Sequence, residues 1–214
     1  MRRLPVVLAC ILLAMAAATV GAQAAGPIPG VELAATTATG AVVSSAAGNG
    51  ALPQPMAAAA FGMLLGDRYG LRLEAGALVA GPSALSSAWY RYRGFYGVFA
   101  RAGAFVRFDV SGIFASLDDA REDKEESATT LATLSVAAGI HLERYDNSDT
   151  LFMHPGLDLA VTLPVLALGN GLRLDAGFSI PMLFRADCAT LGFAATLSLA
   201  WAPAPRTADG RMDR

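Results

Sequence analysis

From Val31 to Trp201 the chain alternates apolar residues with polar or small ones, in stretches of about ten to fifteen residues each closed by a turn signal. Residues 133–143 read TLSVAAGIHLE. Leu134, Val136, Ala138, Ile140 and Leu142 form one set; Thr133, Ser135, Ala137, Gly139, His141 and Glu143 fall between them. A period of two is that of a β-strand with one apolar and one polar face. The pattern predicts eight strands, at Val31–Ser45, Met56–Leu65, Gly70–Ala80, Tyr96–Phe114, Thr130–Arg144, Leu151–Pro164, Gly171–Phe184 and Ala189–Trp201. Frequent glycine spoils helical readings. No apolar stretch after Ala24 reaches the ~18 uncharged residues of a membrane helix. The chain reads as all-β.

The charges inside these strands keep to one face. Arg72 and Glu74 are even-numbered, among odd-numbered apolar neighbours; Arg101, Arg107 and Asp109 are odd, among even ones. His154 and Asp158 on the sixth strand, and Arg173 and Asp175 on the seventh, obey the same rule; only Arg144 breaks it. A soluble barrel or sandwich turns its apolar face inward, whereas a membrane barrel turns it outward to lipid. Three arguments favour the membrane barrel. The strand charges come as near-neutral pairs two residues apart, Arg72/Glu74, Arg107/Asp109 and Arg173/Asp175, as a charge-balanced interior requires. The apolar face runs for about ten residues, the length of a tilted spanning strand. Charged residues make up only 16% of the chain, with Lys124 the single lysine, too few to coat a water-facing globule of this size. A sheet in lipid must close, since an open edge leaves backbone donors unsatisfied. The expected fold is an eight-stranded antiparallel transmembrane up-and-down β-barrel.

The ends bear on location. Arg2 and Arg3, the apolar run Leu4–Val20 and Ala22-Gln23-Ala24 have the form of a secretory signal peptide over residues 1–24. Val7-Leu8-Ala9-Cys10 resembles a lipobox, but cleavage there would split the hydrophobic region. Residues 25–201 are then the barrel, and 202–214, APAPRTADGRMDR, a disordered periplasmic tail. A net charge of −2 gives no reason to expect a nucleic-acid partner.

With signal peptide, strand number, alternation and Trp201 closing the last strand, residues 31–201 resemble the small outer-membrane barrels of the OmpW, OmpX and OmpA-barrel type. The resemblance implies residence in the outer membrane of a diderm bacterium after export through the secretory pathway. It also implies the bilayer and the barrel-assembly machinery as partners. Thirteen residues follow Trp201, where such barrels usually end on the aromatic residue. An even strand number places both termini and the turns Gly66–Tyr69 and Val165–Asn170 in the periplasm. It puts the acidic run DDAREDKEES there too. Trp89, Tyr90, Tyr92, Phe95 and Tyr96 are expected near the outer rim and Trp201 near the inner one, as an aromatic girdle.

Two side-chain groups are candidate sites. The first is a lumen charge network of Arg72, Glu74, Arg101, Arg107, Asp109, Arg173 and Asp175, either a structural salt-bridge plug or a selectivity constriction. The second is His141, Glu143, His154 and Asp158. A hairpin about Asn147 and Ser148 sets the histidines opposite each other, either as hydrogen-bonded rim residues or as ligands to a divalent metal. Many inward positions are small, Gly76, Gly103, Gly139, Gly177 and Gly192 among them. They leave room for a passage or serve strand curvature. No nucleophile–base pair, phosphate loop or cofactor box is visible, so neither an enzyme nor a cofactor is expected. By the resemblance, the leading function is a narrow passive pore for small solutes, hydrophobic ones among them. The alternatives are a structural or adhesive surface barrel without a channel and a secreted lipocalin-like binding domain.

Overall fold

The computed structural model describes residues 30–46, 51–81, 94–111, 130–145, 149–186 and 188–202. The expected signal peptide, the tail from residue 203, the DDAREDKEES run, Trp89, Tyr90 and Tyr92 lie outside the described residues.

Eight strands form one closed antiparallel barrel: β1 Val31–Ala46, β2 Ala51–Leu65, β3 Tyr69–Ala80, β4 Phe95–Asp109, β5 Leu131–Tyr145, β6 Leu151–Gly169, β7 Leu172–Phe184 and β8 Cys188–Trp201. Each strand pairs with its neighbours in sequence, and β1 closes on β8. Following partners around the ring from Leu33 leads through Met63, Leu73, Ala102, Ala138, Leu157, Met182 and Leu191 back to β1 at Val43. The stagger, 43 less 33, is thus ten residues. With ~3.3 Å rise and ~4.7 Å between strands, eight strands so staggered tilt by ~41° on a backbone radius of ~8 Å. Such a ring is only wide enough for its own side chains.

The outer surface is apolar. On β5, Val136 and Ile140 are 51% and 52% exposed, whereas Thr133, Ser135, His141 and Glu143 between the apolar row are buried. Leu71, Val98, Leu157, Phe178, Phe193 and Leu197 continue the exposed apolar surface around the ring. In a water-soluble protein such a belt would be an aggregation surface; here it is the lipid face of a transmembrane barrel. A lipocalin-like domain, apolar inside and polar outside, is the inverse of this arrangement. Outward Tyr69, Phe108 and Trp201 mark the rim that carries the tight turns, and outward Tyr96 and Phe184 mark the opposite, loop rim. Tyr96 and Phe108 lie twelve residues apart on β4, or ~30 Å along the axis at this tilt, the scale of a bilayer's hydrocarbon core. Phe95, expected with the rim aromatics, instead points inward and is 2% exposed.

Three strand limits differ from expectation. β2 begins at Ala51, so that Pro53 and Pro55 lie within it, opposite Val43 and Ala41. Ladder pairing with β3 starts only at Met56, and on that side Pro55 serves only as an acceptor, from Gly81 N at 2.8 Å, so the missing proline N–H groups are tolerated. β4 stops at Asp109; Phe114, its expected end, is not among the described residues. β6 runs five residues past Pro164, with register shifts at Pro164/Leu166 and Ala167/Gly169. The turn shrinks to Gly169-Asn170-Gly171, whose φ values of 91°, 53° and 75° are all left-handed. Two glycines and an asparagine are the residues that accept this at least cost.

The lumen is filled differently in its two halves. Toward the loop rim, Val42, Met56, Leu78, Phe95, Phe99 and Leu183 form a buried apolar cluster. Toward the tight-turn rim the inward side chains are mostly charged or small, with Phe105, 3% exposed, lying under the Arg107 guanidinium.

Candidate functional site

The inward charges sort into three sets, each with as many arginines as carboxylates. At the tight-turn rim, the two oxygens of buried Glu32 receive Arg107 Nη2 at 2.6 Å and Arg173 Nη2 at 2.7 Å. Arg173 Nε donates to Asp175 at 2.8 Å, and Arg107 Nη1 to the Asp67 carbonyl at 3.0 Å. In the middle, Glu74 Oε2 is shared by Arg72 and Arg101, each at 2.9 Å. Asp158 faces the same two arginines, Arg101 at 3.0 Å and Arg72 at 3.5 Å. Arg72 also donates to Ser135 Oγ at 2.5 Å, and the Arg101 guanidinium lies 4.2 Å above the Phe99 ring. In the loop half, Arg185 donates twice to Glu143 Oε2, at 3.0 and 2.8 Å, and to Thr190 Oγ1 at 2.6 Å, while covering Phe95 at 4.5 Å. Buried charges hold together only when paired and hydrogen-bonded in this way.

Glycines make room for the long side chains. Arg72 is registered opposite Gly103 and Arg101 opposite Gly139. A Cβ at Gly103 would stand 1.9 Å from the Val136 carbonyl oxygen, and one at Gly139 2.0 Å from that of Ala100. At Gly76 it would meet the Phe99 ring at 2.7 Å. The inward glycines therefore provide both close strand approach and side-chain clearance.

Most of the predicted lumen residues do meet. Arg72–Glu74 and Arg173–Asp175 are pairs as expected, and Arg101 joins the first. Asp109 does not belong to the network. It is exposed, and its Oδ1 accepts Ser111 N at 2.8 Å and Ser111 Oγ at 2.5 Å. Arg107 turns to Glu32 instead.

The second predicted group divides. His141 and His154 are register partners, as the hairpin argument requires. His154 Nε2 lies 3.8 Å from Glu143 Oε2. Asp158, however, is drawn to the central arginines, and Glu143 to Arg185. The histidines stack on Phe99 and Phe152 rather than converging. Among the described residues no three His, Cys, Asp or Glu side chains come together as a metal site. Arg144 points outward and pairs with Asp149 at the loop rim.

Glu32 and Arg185 were not anticipated, although parity was available for both. Glu32 shares even numbering with inward Val42 on an Ala- and Thr-rich strand whose pattern is faint. Arg185 continues the odd-numbered inward row Ser179, Pro181, Leu183 one step past the end of β7.

Within the turn half and middle of the lumen a cavity of about 90 Å³ remains. Glu32, Arg72, Glu74, Arg101, Asp158 and Asp175 border it, together with the small side chains of Thr36, Ala38, Ala58, Ala60, Thr196 and Ser198.

No family model matches the chain, and no curated protein matches it in sequence. Among solved structures it is similar to Ail, the attachment invasion locus protein of Yersinia pestis. The identity is 9% and the TM-score 0.40, with 81% of this chain and all of Ail covered. It is also similar to Ail in complex with the heparin analogue sucrose octasulfate, at 10% identity, TM-score 0.36 and the same coverage.

Proposed function

We propose that this chain is an integral outer-membrane barrel of a diderm bacterium that works as a closed, loop-displaying structural or adhesive barrel rather than as an open pore. In this reading it is exported through the secretory pathway and inserted by the barrel-assembly machinery. The tight turns and both ends of the barrel face the periplasm. No enzymatic step and no nucleic-acid partner form part of it. The observation that carries it is the loop half of the lumen. There Phe95 and Leu183 are 2% and 1% exposed, and Arg185 is tied to Glu143 across them. An eight-stranded interior filled by its own side chains is a plug.

Single-channel recording in planar bilayers tests this: the refolded protein should be silent, and regular unitary currents would refute it. A narrow passive pore for small solutes, hydrophobic ones included, is the second reading, favoured by the cavity in the turn half. It predicts solute flux into liposomes, and the two readings part on that measurement. Membrane insertion itself is checked by partition into a detergent phase and by heat-shifted migration on a detergent gel.

A further inference from the structure

The chain has two histidines, and both sit inside the plug of the loop half. His141 on β5 and His154 on β6 are register partners on the lumen face, 2% and 9% exposed. The His141 ring stacks on Phe99 at 5.3 Å. It lies so close to β6 that a Cβ at Gly156 would stand 2.7 Å from its Nε2. That Nε2 is buried and has no hydrogen-bond partner. The His154 ring stacks on Phe152. Its Nε2 is 3.8 Å from Glu143 Oε2, the oxygen that receives both Arg185 bonds to this carboxylate.

The closed plug accommodates an added proton on either ring poorly. The charges that act on His141 are those of Arg101, Arg185 and, once it is protonated, His154. An imidazolium there would be a buried cation facing other cations. An imidazolium at His154 would compete with Arg185 for Glu143. Asp158 on β6 is already opposed by Arg101 and Arg72, and Arg144 points outward to Asp149. Tyr145 on β5 adds no charge in acid. The strands β1, β2, β3 and β8 bring uncharged Val42, Gln54, Met56, Leu78 and Thr190 to the plug. Arg185 and Glu143 alone cancel; two more protons leave the set at +2. We propose that His141 and His154 make the loop-half plug an acid-sensitive switch. Proton uptake on the pair parts Arg185 from Glu143 and lets water into the loop half, while the ion pairs of the turn half persist. The switch presupposes the closed loop half of the reading above. Hydrated histidines take up protons below ~pH 6.5. The open form then binds up to two more protons than the closed form, so each further pH unit of acid favours opening by up to ~100-fold.

Leu183, 1% exposed within the plug, is the reporter. The test uses the full chain refolded in micelles, with carbon-13 leucine methyls, nitrogen-15 arginine and an uncharged gadolinium chelate in the water. The Leu183 methyls should be shielded at ~pH 7.5 and relax at least ~10-fold faster at ~pH 4.5, reversibly. The Arg107 and Arg173 Nε–H resonances should stay in place. His141→Gln with His154→Gln should keep Leu183 shielded at both pH values. Should that variant fail the heat-shift test for folding, His141→Gln alone takes its place and should lower the proton number of the transition by about one. Leu183 equally shielded in acid overturns the switch. A full response in the folded glutamine variant overturns the role of the histidines. Loss of the Arg107 and Arg173 resonances together with the shielding of Leu183 overturns its confinement to the loop half. Leu183 already relaxed at ~pH 7.5 overturns instead the closed plug on which the switch rests.

Discussion

Replacing Glu32 by glutamine keeps the shape of the tight-turn rim and removes the charge that two arginines share. The Glu32 carboxylate is 5% exposed and accepts bonds of 2.6 and 2.7 Å from Arg107 and Arg173. Deleting one partner of a buried ion pair costs ~3–5 kcal/mol when the other charge is stranded. Neither arginine is wholly stranded here. Arg173 keeps Asp175 and is 26% exposed, and Arg107 keeps the Asp67 carbonyl and the Thr133 hydroxyl. The expected loss is therefore ~2–3 kcal/mol. With a urea dependence of ~1–3 kcal/mol per molar, the unfolding midpoint should fall by ~0.7–3 M. Reversible urea unfolding in lipid vesicles, followed by tryptophan fluorescence and gel migration, measures it. A cycle with Arg173→Met should give a coupling of ~1–2 kcal/mol. A loss below ~0.5 kcal/mol together with zero coupling would show that Glu32 is not the keystone of this rim.

Three further outcomes are expected. Val136→Arg puts a charge at a half-exposed site in the lipid belt and should cost ~2–4 kcal/mol in refolding into bilayers; a neutral result would mean that this face is not lipid-facing. Asn170→Ala, at φ 53°, should lose ~1–2 kcal/mol in the same urea assay, while Asn170→Gly should match or exceed the parent. Arg185→Met leaves the Glu143 carboxylate, 1% exposed, facing an apolar cluster and should cost ~3 kcal/mol or more, and adding Glu143→Leu should restore most of it; failure of the second change to rescue would refute the Arg185–Glu143 tie.

How much of this was legible in the chain depends on distance. The pleat turns alternate residues to opposite sides, so inward and outward rows on β3, β5 and β8 followed from parity alone. Pairs two residues apart on one face, Arg72–Glu74 and Arg173–Asp175, are local and could be read directly. Arg107–Asp109 had the same spacing and failed because Asp109 ends its strand, where the Ser111 amide and hydroxyl compete for it. The partners across the lumen were not legible. Which side chains share a height depends on a ~41° tilt and a ten-residue stagger, quantities that no single strand carries. That is why Asp158 looked like a neighbour of His141 along the hairpin, yet reaches Arg101 instead. It is also why Glu32, 75 residues from Arg107 in sequence, was overlooked.

The same tilt and stagger account for the unequal halves of the lumen. Beyond the central arginines the strict alternation lapses: Leu78-Val79-Ala80 on β3 and Ile180-Pro181-Met182-Leu183-Phe184 on β7 are apolar on both faces. Such runs read as weak strands by a period-two count, and they place Leu78, Ala80 and Leu183 in the interior at the level of Phe95. That half is held by apolar burial around the Arg185–Glu143 pair, and the turn half by the two four-membered sets of ion pairs. Exposure of the arginine side chains follows the same gradient, from 26% for Arg173 through 14% for Arg107 and Arg72 to 8% for Arg101 and 5% for Arg185. The interior is therefore more open toward its tight turns than toward its loops. A molecule reaching Arg101 from the loop side must displace Phe95 and break the Arg185–Glu143 tie together, whereas one arriving from the turns must part the Glu32 pairs with Arg107 and Arg173.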